Sequence, residues 1–482
     1  MKALSRNVFL AFLCFYPLFL IGQKITVDNA LPRLDEKNQI VDAHDGRVIQ
    51  FGDTFYWYGT AYENTNGFTP QNHYRCYSSK DLMNWKYEGK LLEDQPEGVY
   101  YRPHVIYNRS TKKYLLWYNW YPKLWEGQFG VAISDTPQGP FKIVNENVQM
   151  HNSEIGLGDF GLFVDDDETG YISYNTIKNH QVSVEKLSDD YLSSTFENGG
   201  TISKHMEAGT MFKKDGYYYL LTDYTCCFCN YGSGARVYIS KNPLKGYTLT
   251  TNINRNPGRY TNLLNDGLTR GTLYETLIKN EDNADAIEVN FDKKQNIDKV
   301  TLHIFTGNRP ENCGDVSNPR VHPEIKTSEF NVFVWAYDQW EKIDIENQNV
   351  SKSALKERIQ LEFKPRLSNR FKIIPAESEM NMYVNEVELF HGEVPKNSEG
   401  HFFITGPKIP QKPIIPAQQS YVMKLDTAEG EKFIWMGDLW GSASDNIKGH
   451  DYQYWSAPLQ FNTDGTIKSM QWTDSWFVEL KK

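Results

Sequence analysis

The stretch Asp45-Gly-Arg-Val-Ile-Gln-Phe-Gly-Asp-Thr-Phe-Tyr-Trp57 reads as a polar residue, a short β-rich run, a turn built on Gly and Asp, and an aromatic-rich strand. The pattern returns at Arg102-Pro-His-Val-Ile-Tyr-Asn-Arg-Ser-Thr-Lys-Lys-Tyr-Leu-Leu-Trp117 and at Asp159-Phe-Gly-Leu-Phe-Val-Asp-Asp-Asp-Glu-Thr-Gly-Tyr171, then from Glu207 to Leu220 and from Gln418 to Met436. A serine-led segment follows each of the first four hairpins, at Ser79, Ser134, Ser188 and Ser240, spaced 55, 54 and 52 residues apart. A period of roughly 50 residues made of short strands and turns is the mark of a β-propeller with one four-stranded blade per repeat. No helical pattern of about 10–15 residues separates the strands, which excludes a parallel α/β fold.

The last spacing breaks the rule, because Glu207 and Gln418 lie 211 residues apart. The excess between Arg255 and Pro395 is itself rich in short alternating runs: Ala286-Ile-Glu-Val-Asn-Phe, Val300-Thr-Leu-His-Ile-Phe, Phe330-Asn-Val-Phe-Val-Trp, Ile359-Gln-Leu-Glu-Phe, Arg370-Phe-Lys-Ile-Ile and Val384-Asn-Glu-Val-Glu-Leu-Phe390. Such alternation reads as a β-sandwich. The fold expected is all-β, a five-bladed propeller interrupted between blades four and five by a β-sandwich of jelly-roll type. The divisions expected are blades one to four over 23–254, the insert over 255–396, and blade five with the closure over 397–482.

Lys2 and Arg6 precede an apolar run from Val8 to Ile21, which reads as a signal peptide over 1–22 and implies export to the periplasm or the cell exterior. Without Cys14 the chain has Cys76, Cys226, Cys227, Cys229 and Cys313. These allow one disulfide within the propeller, whose pairing spacing does not fix. No Cys/His pair at ligand spacing accompanies the 226–229 cluster, so a zinc site is not expected. Across 482 residues, 51 Lys+Arg against 61 Asp+Glu give a net charge of −10. With no basic run, that balance excludes nucleic acid or an anionic membrane as main partner. Aromatic residues at 14% exclude a disordered chain, and beyond the amino-terminal run no stretch is apolar enough to span a membrane.

Inner strands of a propeller converge on its axis, so residues at one place in each repeat meet at one mouth of the channel. Asp45, Arg102, Asp159, Glu207 and Gln418 occupy that place. Carboxylates crowded in a partly buried site raise one another's pKa, an arrangement met mostly at functional sites. It suits glycoside hydrolysis by inversion, in which one carboxylic acid protonates the leaving oxygen and a carboxylate across the sugar activates water. Taken singly, Asp45 in His-Asp-Gly and Asp159 in Gly-Asp-Phe-Gly also read as turn residues. Glu207, at the start of an apolar strand, does not read as a solvated charge.

On these residues the chain resembles glycoside hydrolase family 43, five-bladed propellers acting on arabinans, xylans and galactans. The resemblance rests on Asp45 with Gly52-Asp-Thr-Phe-Tyr-Trp-Tyr-Gly59, Asp159 before Phe163-Val-Asp-Asp-Asp167, and Glu207-Ala-Gly209 with Lys213-Lys-Asp-Gly-Tyr-Tyr-Tyr-Leu220. It implies Asp45 as general base, Glu207 as general acid and Asp159 as the group that orients the acid and tunes its pKa. Arg102-Pro-His-Val-Ile-Tyr-Asn108, Gln418-Gln-Ser-Tyr-Val and Trp435-Met-Gly-Asp-Leu-Trp440 resemble the exo-β-1,3-galactanase branch. That branch usually has Gly in place of Asp45 and commonly Glu in place of Tyr101, and is thought to use the glutamine matching Gln418 as its base. With Asp45 present, the carboxylate is the expected base and Gln418 a substrate-positioning group.

Further substrate contacts are expected from Arg102, His104, Asn119, Trp120, Arg236, Asp438 and Trp440, with Trp125 and Tyr118 as other stacking candidates. Each aromatic among them also reads as packing between blades. The substrate implied is a plant cell-wall oligo- or polysaccharide, galactan or arabinogalactan first, with α-L-arabinofuranosidase or β-xylosidase activity, or sugar binding without catalysis, as alternatives. No cofactor is expected to be required; the family resemblance admits a structural calcium in the channel, near His44 or Asp438, or in the sandwich. The insert resembles a discoidin, or factor V/VIII type C, domain at Asn262-Leu-Leu-Asn-Asp-Gly267 and Val384–Phe390, which implies a possible sugar-binding role.

Overall fold

The computed structural model describes residues 24–481 except 66, 124, 225–227, 229–234, 255–263, 265–275, 280–285, 306–329, 353–355, 377–380, 406–413, 416, 444 and 446. The apolar run at the amino terminus, Cys226, Cys227, Cys229 and Cys313, and most of the 262–267 motif lie outside them. Cys76 is a buried free thiol.

Four antiparallel four-stranded sheets follow one another in chain order: blade one from His44–Phe51 to Lys86–Lys90, blade two from Val99–Asn108 to Lys142–Val148, blade three from Leu157–Val164 to Ser194–Asn198, and blade four from Met206–Lys214 to Thr248–Asn252. Blade five has Gln418–Thr427, Gly430–Leu439 and Tyr452–Trp455. All five begin at the repeats read from the sequence. Among the described residues no helix is long and apolar enough to cross a membrane.

The period-two alternation of each strand sends neighbouring residues to opposite faces and so to different blades. Trp57 packs with Met423, Ile434 and Trp455 of blade five, while Tyr58 packs with Tyr100, Val105 and Leu116 of blade two. Further cores join blades two and three around Trp117, Phe129 and Phe160, three and four around Val184, Met206 and Met211, and four and five around Phe212, Phe433 and Trp435. Five inter-blade cores therefore form one closed ring.

The ring is sealed by Lys24–Asp28 pairing antiparallel with Ser475–Glu479, whose Ile25, Val27, Trp476 and Val478 enter the core between blades one and five. Asn29 fixes this seam: its Nδ2 donates to the carbonyls of Trp455 (2.9 Å) and Thr473 (3.0 Å), and its Oδ1 accepts from the Trp455 amide (3.0 Å).

The insert is one sheet by hydrogen bonding, in which Ala286–Phe305 and Lys356–Pro375 are long strands broken by bulges. The first half of Ala286–Phe305 pairs with Gly400–Thr405 and its second half with Asn381–His391. Ile287, Val289 and Phe291 from one half and Val300, Leu302 and Ile304 from the other share a single core, so the strands fold over it as two layers. The strand Gly400–Thr405 belongs to this sheet, which carries the insert past the boundary expected at 396. The sequence hides this because the run His401-Phe-Phe-Ile404 reads equally as an inner propeller strand.

Asn29→Ala removes three buried hydrogen bonds at once, each worth roughly 0.5–1.5 kcal/mol. The variant is expected to unfold several degrees below the wild type, measured by thermal denaturation of the full chain.

Candidate active site

A β-bulge interrupts every inner strand at the same level of the axis. The ladders skip between His44 and Arg47, Tyr101 and His104, Leu157 and Phe160, Glu207 and Thr210, and Gln419 and Tyr421. A bulge re-aims side chains and frees backbone from the ladder. Asp45 and Arg102 sit on their bulges with φ of 60° and 51°, a conformation non-glycine residues adopt rarely and chiefly at functional sites. A Cβ on Gly46 would lie 1.8 Å from the Tyr58 carbonyl oxygen, so the next residue must be glycine. Asp45 is a bulge residue and not the turn residue its local sequence allowed.

Asp45, Arg102, Asp159, Glu207 and Gln418 all line one pocket. They do not occupy one equivalent position. Counted back from the first residue paired after each bulge, Asp45 and Arg102 are two residues away, Asp159 one, and Glu207 and Gln418 three. The pocket wall comes largely from the loops between second and third strands: Tyr62 and Phe68 in blade one, Trp125 in blade two, Ile177 and His180 in blade three, and Phe228 in blade four. Tyr101, Tyr121 and Asn175 complete it from strand ends. Of these only Trp125 was singled out in the sequence.

Arg102 is the electrostatic centre. Its Nε lies 2.8 Å from Asp159 Oδ1, and its terminal nitrogens approach the Gln419 carbonyl at 3.3 and 3.4 Å. Burial opposes its charge, but Asp159, Asp45 and Glu207 outweigh that and hold the guanidinium above its ordinary pKa. Asp45 is 7% exposed. Its carboxylate accepts a short hydrogen bond from Tyr62 Oη, and its amide donates to Asp438 Oδ2 at 2.8 Å. Burial first, and the Asp438 carboxylate second, push the Asp45 carboxyl up to about 7, against the pull of Arg102, Tyr62 and His44.

Asp438 also accepts from His44 Nδ1 at 3.0 Å. Burial would lower the His44 pKa, but Asp438, Asp42 and Asp45 reverse this and raise it to about 8. Gln418 is held from behind: its Oε1 accepts from Trp440 Nε1 (2.7 Å) and the Phe228 amide (3.2 Å), and its Nε2 faces Glu207 Oε1 at 3.4 Å. His180 Nδ1 lies 3.8 Å from Glu207 Oε2.

Several expected substrate contacts are placed elsewhere. Trp120 stacks on Tyr100 and donates to the Glu146 carbonyl, within the core between blades one and two. Tyr118 is fully buried in that core. Asn119 is buried and donates to the carbonyls of Gln128 and Leu157. His104 is buried below the pocket, between the rings of Phe160 and Tyr421. Arg236 begins the third strand of blade four, away from the pocket lining. Asp438 and Trp440 act on the pocket from behind, through Asp45 and Gln418. Inner-strand and aromatic patterns alone could not separate these from pocket residues, since blades pack through the same residue types.

A calcium ion near His44 and Asp438 does not fit this chemistry. Both Asp438 oxygens already accept hydrogen bonds, and His44 is biased towards its protonated form. Among the described residues no three His, Cys, Asp or Glu side chains gather as a ligand set.

Residues 38–256 match the family model for glycosyl hydrolases family 43. The match spans Asp45, Asp159 and Glu207. No curated protein matches it as a relative. Among solved structures, the exo-β-1,3-galactanase from Clostridium thermocellum superposes with a TM-score of 0.52 at 18% identity, covering 94% of this chain and 66% of that one. A family 43 β-1,3-galactosidase gives 0.52 and 18%, covering 94% and 64%. Another, with galactodeoxynojirimycin, gives 0.52 and 18%, covering 93% and 99%. The chain therefore spans less than two thirds of the first two, and the likeness is one of fold.

The elevated Asp45 pKa has a stability consequence. Between about pH 4 and 7 the folded state keeps a proton that the unfolded chain has lost, so stability falls as pH rises through that window. Asp45→Asn, which tolerates the positive φ, removes the penalty. Its melting temperature relative to wild type is expected to rise from pH 4 to pH 7 and level off above, measured by thermal denaturation across that range.

Proposed function

We propose that this chain is an exported glycosidase of family 43 type that cleaves terminal sugars by inversion, with Glu207 as general acid, Asp45 as general base and Asp159 as the group that sets the acid's environment. The observation that carries the reading is the convergence of the three carboxylates, each from a different blade, on one pocket around Arg102. Asp45 is the base on two grounds. Its carboxyl titrates near neutral pH, where a general base is most effective. The amide oxygen of Gln418, the alternative, is already committed to Trp440 and Phe228. Gln418 then presents its NH₂ to Glu207 and to a sugar hydroxyl beside it.

Asp159 reaches the acid through Arg102: the ion pair fixes the guanidinium, whose charge bears on Glu207. In a single displacement Glu207 gives its proton to the glycosidic oxygen as that bond breaks, while a water, deprotonated by Asp45, attacks the anomeric carbon from the opposite face. Inversion calls for roughly 6.5–9.5 Å between the two carboxyl groups to admit that water. The aromatic wall of Tyr62, Phe68, Tyr101, Tyr121, Trp125 and Phe228 suits the apolar face of a sugar ring, and a half-exposed Trp125 at the rim suits a second sugar unit.

The substrate we propose to try first is β-1,3-galactan or arabinogalactan of plant cell walls, releasing terminal β-galactose, as the galactanase-like motifs and the descriptions of the structural neighbours suggest. Asp45 and Tyr101, where that branch usually has Gly and Glu, favour a second reading as an α-L-arabinofuranosidase. Product analysis on galactan, arabinogalactan and arabinan separates them: galactose supports the first, arabinose the second, and no sugar from any polymer contradicts both and supports a sugar-binding propeller. Glu207→Gln is expected to lose about 10²–10⁴ of the rate; unchanged hydrolysis would remove it from the role of acid.

The acid limb of the kcat/KM profile is expected near pH 7. Tyr62→Phe, which deletes a bond that stabilises the Asp45 carboxylate, moves that limb to higher pH. A limb unmoved in this variant would dissociate Asp45 from the base.

A further inference from the structure

Directly below the pocket, the first residues paired after the five bulges are Arg47, His104, Phe160, Thr210 and Tyr421. Arg47, His104, Phe160 and Tyr421 meet around the axis. His104 of blade two packs on Tyr421 of blade five, the Arg47 guanidinium of blade one lies 4.3 Å over the same ring, and Arg47 Nη1 reaches the Leu162 carbonyl of blade three at 3.4 Å. Blades two and five, or one and three, are not neighbours, so these contacts cross the channel. All five residues are between 0% and 7% exposed.

Arg47 Nε, both ring nitrogens of His104 and Thr210 Oγ1 have no hydrogen-bond partner among the described residues. The ring contains no carboxylate, and among the described residues Arg47 forms no ion pair, whereas Arg102 in the layer above is matched by Asp159. A buried cation without a counter-charge is costly unless something compensates it. The charge of Arg47 rejects a metal cation here. Burial, then the charges of Arg47 and Arg102, hold His104 far below its ordinary pKa.

The geometry points to a binding site for a small monovalent anion, chloride in the first instance, held in the channel by Arg47 Nε–H, a ring N–H of His104 and Thr210 Oγ1–H. The rings of Phe160 and Tyr421 flank His104, which favours a halide-sized ion over a polyatomic acid. The anion supplies the counter-charge that the fold withholds from Arg47 and sits one layer beneath Arg102.

The test is thermal unfolding of the full chain in sodium chloride and in sodium gluconate at equal ionic strength, with diffraction from bromide-soaked crystals. Chloride at tenfold above its dissociation constant is expected to raise the melting temperature by about 1–2 °C, with saturation. Bromide is expected to give an anomalous peak beside Arg47 Nε. Arg47→Met is expected to abolish the chloride response, and Thr210→Val, which leaves the charge and the packing in place, to weaken it. Equal melting in the two salts together with no bromide peak would overturn the proposal, as would a full response in Arg47→Met. Should Arg47→Met fail to fold, the bromide peak and the Thr210→Val response decide.

Discussion

A break in the hydrogen-bond ladder of every inner strand, at one level of the axis, is the constraint on which the rest of this molecule depends. Unbroken strands would alternate their side chains into the two flanking inter-blade cores. The bulges release one or two residues per strand from that alternation and turn polar side chains towards the axis. The same breaks define two layers: an acidic one above, with Arg102 at its centre, and a ring of donors and aromatic residues below it. The closed circuit of five cores holds both in place, because no blade can shift without opening a core on each side.

The site is built against the preferences of its own residues. Asp45 is buried beside Asp438 at a positive φ, and its negative charge is destabilised by burial and by that neighbour. Arg102, Tyr62 and His44 recover part of this. The remaining penalty leaves a carboxyl poised near neutral pH, which is what proton abstraction from water requires. Trp440 and Asp438 do the same kind of work from behind, one fixing the amide of Gln418 and the other the backbone of Asp45. Stability given up at Asp45 is thus the physical source of the proposed base.

The five-blade architecture, the interrupting sandwich and the convergence of Asp45, Arg102, Asp159, Glu207 and Gln418 were legible in the sequence, because each repeat restarts with a polar residue, a turn and an aromatic strand. The offsets among those five were not, since bulges add residues without altering composition. Tyr62, Phe68, His180 and Phe228 were hidden for another reason. They lie in the loops between second and third strands, whose lengths and residues differ from blade to blade, so no in-phase signal marks them. His104 and Trp120 were misplaced because their positions beside pocket residues along a strand put their side chains one layer down or into an inter-blade core.

The account stands most directly on the pairing of Asp45 and Glu207 across one sugar. Proton NMR of the first turnovers on whichever polymer the enzyme cleaves reads the anomeric configuration of the product before mutarotation. The account predicts the configuration opposite to that of the bond cleaved, a water having been activated by Asp45 on the far face. A product that first appears with the configuration retained would contradict it, since that outcome requires a covalent intermediate and a carboxylate in direct contact with the anomeric carbon.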